Sequence, residues 1–162
     1  MKDTQQKPRW ATASLIDGDR EQLSKHYTLL EFTISSLCID NGWENTPDDL
    51  HIYMMRQLCE HILEPMTRRF GKQKVLSGFR TKQLNAAMGG GEESQHLFGQ
   101  AVDLYIRSSR EGKKMFDFIV QELDFDMLVY EVRNGGSRQF LHVSYNPQQN
   151  RRFYCMDYRI NN

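Results

Sequence analysis

Three side chains in this sequence have the chemistry of a zinc site. His96 lies in Ser94-Gln95-His96-Leu97-Phe98-Gly99, Asp103 follows in Gln100-Ala101-Val102-Asp103, and His142 occurs in Phe140-Leu141-His142-Val143-Ser144-Tyr145. Imidazole and carboxylate both bind zinc at neutral pH, and three such ligands leave a fourth position open to water. A site of that kind activates water for hydrolysis. Ser94 carries a hydroxyl that could hydrogen-bond a ligand or substrate. A strand histidine taken alone is more often a surface or core residue than a ligand, so the combination carries the argument.

The elements that must position these residues can be read from alternation. Gln100 to Ile106 places Ala101, Asp103 and Tyr105 on one face and Val102, Leu104 and Ile106 on the other, the pattern of a half-buried strand. His96 precedes Asp103 by seven residues, an odd offset, so it cannot share that face on one regular strand. Gly99 offers a bend, and His96 is expected on a loop folded back over the strand end. Around His142, Leu141, Val143 and Tyr145 form an apolar row, leaving Phe140, His142 and Ser144 opposite. Two strands can then present Asp103 and His142 to one cleft.

The run Ser94-x-His96-x-x-Gly99-x-Ala101-x-Asp103, with the later His142 strand, resembles the zinc D-alanyl-D-alanine metallopeptidases, which share a fold with lysostaphin-type peptidases and the hedgehog signalling domain. Ser77-Gly78-Phe79-Arg80, Asn85 and Gly89-Gly90 also match the carboxypeptidase-like branch, and the resemblance spans roughly residues 24 to 155. It implies that His96, Asp103 and His142 hold one zinc ion per chain. It also implies a role for Arg80, delivered to the cleft by a short strand at Lys74 to Ser77. Its planar fork suits bidentate binding of a substrate carboxylate or stabilisation of a developing oxyanion. The implied activity is hydrolysis of a peptidoglycan stem peptide, by a D,D-carboxypeptidase or an endopeptidase such as a phage or prophage lysin. A silent zinc domain that binds cell-wall peptide or a protein partner, and a cytoplasmic dipeptidase acting on D-Ala-D-Ala, are the alternatives.

The general base is where the sequence departs from part of that family. Dipeptidase and endopeptidase branches carry a glutamate three residues before the last zinc histidine; here that residue is Gln139, which cannot take a proton at neutral pH. Glu131, at the end of the preceding strand, is the candidate, because the carboxypeptidase-like branch often has a glutamate there. If Glu131 pairs with Phe140 it shares the face of His142; if the register slips by one it pairs with Gln139 and points away.

The remaining chain is consistent with one α+β domain. The 162 residues have a formal net charge of zero, so charge indicates no nucleic-acid or anionic-membrane preference. No apolar run approaches a membrane span, and Met1 to Pro8 lacks the apolar stretch of a secretory signal, which makes the cytoplasm the expected location as synthesised, with action at the cell wall after release. Cys38, Cys59 and Cys155 have no metal-type spacing and an odd count, so they are expected as reduced thiols. Residues 1–23 read as a polar arm anchored by Trp10 and Leu15, and 24–162 as the domain.

Thr28 and Glu31 form a capping box for a helix running to Asn41-Gly42, with Leu29, Phe32 and Leu37 inward. Thr46 and Pro47 open the longest helix, whose apolar stripe is Leu50, Tyr53, Met54, Leu58, Ile62, Met66 and Phe70. Pro65 should bend it, and Arg56–Glu60 and Glu64–Arg68 should pair outside, where His61 is also expected. Thr81 caps a short helix, and Ser108 with Glu111 opens another whose stripe is Met115, Phe118, Ile119 and Leu123. A hairpin follows with its turn at Asn134-Gly135-Gly136, then an edge strand within Arg151 to Ile160, its arginines solvated. The expected architecture is a mainly antiparallel sheet of about four to six strands, helices on one side and the zinc cleft on the other.

Overall fold

The computed structural model describes residues 21–133, 136 and 138–160, the last four as backbone only. The arm expected at the N-terminus falls outside them, apart from its end: Gln22 bridges Thr28 and Leu23 is buried. Thr28 and Glu31 cap α1 (Leu29–Thr33) reciprocally, and Leu29 and Phe32 point into the core. The single helix expected as far as Asn41 is broken in two, because Ile34 adopts an extended conformation before α2 (Ser36–Asn41) begins. Side chains take over the end of α1: the Thr33 hydroxyl donates to the Leu29 carbonyl, and Asn45 donates to the Thr33 carbonyl that a continuing helix would have used. Cys38 turns inward on α2, and Leu37, expected in the core, is exposed.

The long helix starts two residues later than expected. Asp48, not Thr46, is the cap of α3 (Asp49–Leu58): its carboxylate accepts the His51 N–H at 2.9 Å, and the His51 ring accepts the Asp48 N–H in return. A π-helical turn (Cys59–Leu63) joins α3 to α4 (Glu64–Phe70). Pro65 has no N–H to donate, and Glu64 reaches back five residues to the Cys59 carbonyl, so the lost bond is absorbed in a wider turn. The buried face is Met55, Leu58, Cys59, Ile62, Leu63 and Met66; Leu50 and Tyr53, placed in the stripe by the sequence, face solvent. The outer charges also find other partners than expected. Arg56 reaches Glu21 at 3.3 Å, and Glu64 takes Ser24 at 2.6 Å and His26 at 2.7 Å, fastening the helix to the segment before α1.

Five strands form one sheet: β1 (Val75–Ser77), β2 (Ala101–Tyr105), β3 (Met127–Arg133), β4 (Arg138–Ser144) and β5 (Phe153–Ile160), in the order β1-β2-β4-β3-β5. The first four pair antiparallel, and β5 joins β3 in parallel. This is the α+β architecture expected, with one parallel edge. Between the strands lie α5 (Lys82–Ala87), capped by Thr81, a 3₁₀ turn (Gln95–Phe98), and α6 (Ser109–Glu122), capped by Ser108. Of the hairpin turn expected at 134–136, Asn134 and Gly135 lie outside the described residues.

Val102, Leu104, Leu128, Tyr130, Leu141 and Val143 face the helices and make the core with Met115, Phe116 and Ile119 of α6. Phe116 takes the buried position expected for Phe118, which instead meets Phe70 edge-on at 5.4 Å. Gly112 permits the close approach, since a Cβ there would lie 2.7 Å from both Ile106 and the Tyr130 ring. Arg151 and Arg152 of the tail are exposed, as expected, and also act as staples. Arg151 grips Asp126 with two nitrogens, at 2.9 and 2.6 Å, and Arg152 donates to the Val120 and Leu123 carbonyls at the end of α6. No described helix is long and apolar enough to cross a membrane.

Candidate metal centre

Pairing of β2 with β4 sets Asp103 directly opposite His142, on the face turned away from the helices. His96 arrives from the 3₁₀ turn, which ends at Gly99 with φ +70 and folds the chain back over the strand end. A Cβ at Gly99 would sit 2.7 Å from the His51 carbonyl oxygen, so the turn needs glycine both for its conformation and for its fit. The ligand atoms of His96, Asp103 and His142 all lie within 4.8 Å of one another, and no other such group of three occurs among the described residues. His26 pairs with Glu64, His51 caps α3, and exposed His61 stacks on Tyr145 at 4.4 Å.

The hydrogen bonds fix how each ligand faces. His96 Nδ1 lies 2.7 Å from the Gly78 carbonyl oxygen, which can only accept, so Nδ1 carries the proton and Nε2 presents its lone pair. That Nε2 lies 3.2 Å from Asp103 Oδ1, and His142 Nδ1 lies 2.9 Å from the same oxygen. Burial holds His96 below the usual histidine range, favouring the neutral ring, although Asp103 pulls the other way. Burial alone would raise the Asp103 carboxyl, but charge and hydrogen bonds from the His96 and His142 rings, when these carry a proton toward it, hold it below the usual carboxylate range, and with His96 neutral the Arg80 guanidinium still binds Oδ2. A neutral His96 therefore turns a lone pair toward a carboxylate oxygen. Two acceptors in contact in a buried site are resolved by a cation between them, and two imidazoles with one carboxylate are a zinc donor set. The residues fit the metal.

Arg80 is fixed from both ends: Nη2 donates to Asp103 Oδ2 at 2.8 Å and Nε to Ser77 at 2.9 Å, while its backbone N–H donates to the His96 carbonyl. The guanidinium thus occupies one carboxylate oxygen and leaves Oδ1 to the imidazoles. Two of its three nitrogens are spent inside the protein, and among the described residues Nη1 has no hydrogen-bond partner. Ser94 lies at the start of the 3₁₀ turn, on the wall of the cleft.

The register question at Glu131 has a definite answer: Glu131 pairs with Phe140 and Val129 with His142, so Glu131 shares the metal face. It is 9% exposed, and Arg133 Nε donates to its Oε1. Gln139 pairs with Val132 and turns toward the helix side, where its Oε1 accepts from Tyr130 and Ser109. The cleft over these groups encloses about 410 Å³. Its charged end is Arg80, Glu131 and Arg133; its other end is Met127, Val129, Phe153 and Cys155.

Sequence reasoning did not find Arg133, Phe153 or Cys155 at the cleft, nor Asp126. The buried Asp126 carboxylate accepts from Arg151 and, at 2.6 Å, from Gln95, the neighbour of His96. Its only local signal is an acidic residue just before a strand.

An α+β sheet carrying a His-Asp-His donor set on its open face fits the hedgehog/D-Ala-D-Ala zinc peptidase fold, the class to which the family match assigns the chain. Residues 25–144 match the family described as Peptidase M15, and the chain belongs to that family of zinc-dependent metallopeptidases. No curated protein matches the sequence.

Proposed function

We infer that the chain is a zinc peptidase of the carboxypeptidase-like branch that hydrolyses a peptidoglycan stem peptide, as a D,D-carboxypeptidase or an endopeptidase. The observation that carries the reading is the buried His96 lone pair facing Asp103 Oδ1, with Glu131 on the same face. His96 Nε2, Asp103 Oδ1 and His142 Nδ1 would hold the zinc. Bound zinc supplies a Lewis acid that polarises a carbonyl and acidifies water. Glu131 takes a proton from the attacking water and returns it to the leaving amine as the C–N bond breaks, so the products are a carboxylate and an amine. Arg80 holds Asp103 in place and offers Nη1 to the carbonyl oxygen or to a terminal carboxylate. The Ser94 hydroxyl is available to the peptide backbone.

The test is metal analysis together with digestion of purified stem peptides read by mass spectrometry. One zinc per chain and release of a terminal D-alanine or cleavage within the peptide are expected. Glu131→Gln should keep the zinc and lower hydrolysis by about two to four orders of magnitude. The Arg133–Glu131 ion pair favours a second reading, in which the carboxylate is tied up and the domain binds peptide without cutting it. Stoichiometric zinc with peptide binding but no turnover would establish that reading instead.

A further inference from the structure

The match to the peptidase family stops at residue 144, and β5 lies beyond it. This strand closes the cleft at the sheet edge farthest from β1 and Arg80. Its residues alternate: Phe153 and Cys155 line the cleft, whereas Tyr154 meets Phe116 of α6 edge-on at 6.0 Å on the other face. In register, Phe153 lies beside Met127 and Cys155 beside Val129, and Val129 in turn lies beside His142. Neighbouring strands are about 4.8 Å apart, so β5 runs about 10 Å from the strand of His142, within reach of the first residues of a bound peptide.

Isolated exposed apolar side chains are ordinary on protein surfaces. Phe153 differs because it is 54% exposed beside three other apolar groups of the cleft and is held there firmly. Its backbone N–H donates to the Asp126 carbonyl, and the Asp126 carboxylate grips Arg151 two residues earlier. The same carboxylate accepts from Gln95, so the wall and the loop bearing His96 share one anchor. The opposite end of β3 carries Arg133, whose guanidinium lies 5.5 Å from the Phe140 ring and donates Nε to Glu131. A peptide whose carbonyl sits at the metal row thus has cations on one side and alkyl and aromatic groups on the other.

We propose that β5 is a substrate-selecting strand: the wall of Met127, Val129, Phe153 and Cys155 receives the uncharged alkyl groups on the acyl side of the scissile bond, leaving a terminal carboxylate to the Arg133 end. This rests on the peptidase reading above and specifies which part of the peptide meets which part of the cleft.

Kinetics and a binding readout independent of turnover test it together. The probe is a stem pentapeptide ending in D-Ala-D-Ala, added to the zinc-loaded protein. Phe153→Ala should raise KM about tenfold with kcat and zinc content kept, the signature of lost uniform binding at an apolar contact. Phe153→Leu should recover most of that loss. Tyr154→Ala, which loosens the same strand from the helix side, should leave KM near that of the parent. Cys38 and Cys59 are buried, so iodoacetamide should label Cys155 selectively, and the pentapeptide should slow that labelling several-fold in the parent but not in Phe153→Ala.

Hydrolysis with an unchanged KM in Phe153→Ala, or equal losses in Phe153→Ala and Tyr154→Ala, overturns the wall. Protection of Cys155 without hydrolysis keeps the wall and removes the peptidase reading. Neither hydrolysis nor protection removes both.

Discussion

Replacing Asp126 by asparagine tests how the C-terminal strand is bound to the metal loop. Asp126 is 2% exposed, and its two oxygens accept four hydrogen bonds: the Arg151 backbone N–H and Nε on Oδ1, Arg151 Nη2 and Gln95 Nε2 on Oδ2. An asparagine keeps only one oxygen, so in either orientation its NH₂ group meets two donors. Gln95 can relieve one clash by turning its amide, because its Oε1 is buried without a partner. Arg151 is 57% exposed at the side chain and can turn its guanidinium to water, which reduces the loss. Charge-assisted bonds contribute about 1.5–3 kcal/mol each, so with these discounts Asp126→Asn should cost about 2–3 kcal/mol.

For a domain of this size that is a fall in Tm of about 5–10 °C. The pH dependence has a definite sign. Hydrogen bonds from Arg151, against the opposing effect of burial, hold the Asp126 carboxyl below the usual carboxylate range. Its contribution is therefore complete above the unfolded-state pKa, about 4, and is lost as pH falls through the lower folded value. Urea unfolding of parent and variant, both stripped of metal, between pH 7 and pH 3 measures the gap. It should be full at pH 7 and narrow below about pH 4. A gap under about 0.5 kcal/mol at pH 7, the usual size of a surface substitution, or one that does not change with pH, would refute the reasoning.

His96→Ala and His142→Ala should each lose stoichiometric zinc, checked by metal analysis of the folded proteins; full occupancy in both would remove these ligands. Arg80→Ala should keep its zinc while hydrolysis falls by about two to three orders of magnitude, and Arg80→Lys should rescue only part, because a point charge cannot span Asp103 and Ser77 as the fork does. A folded Arg80→Ala protein without zinc would contradict that separation. Gly99→Ala should destabilise by more than about 2 kcal/mol, since it combines a left-handed backbone with a Cβ pressed against the His51 carbonyl; calorimetry showing an unchanged Tm would remove both arguments.

What the sequence determined by itself was local. The loop that must fold His96 back over the strand end, the face of each strand, and the caps at Thr28, Thr81 and Ser108 all depend on residues within a few positions of one another. Local rules failed where a distant group supplied the decisive bond. Asn45, twelve residues on, donates to the Thr33 carbonyl and ends α1, whereas the reciprocal Asp48–His51 cap that starts α3 is local and outcompetes Thr46; the expected stripe keeps Leu58, Ile62 and Met66, and Cys59 and Leu63 join it around the wider turn before Pro65.

Only the tertiary structure decided the rest of the site. Strand alternation has period two, so a slip of one residue would have been equally consistent with the sequence, and pairing across the sheet was needed to put Glu131 on the metal face and Gln139 behind it. The tautomer of His96 follows from a carbonyl eighteen residues away. The clamp of Arg80 on Asp103 and the parallel docking of β5 beside the cleft likewise join segments far apart in the chain. Spacing reveals which side chains can reach a metal. The hydrogen bonds that orient them, and the walls a peptide must fit, form only when the sheet closes.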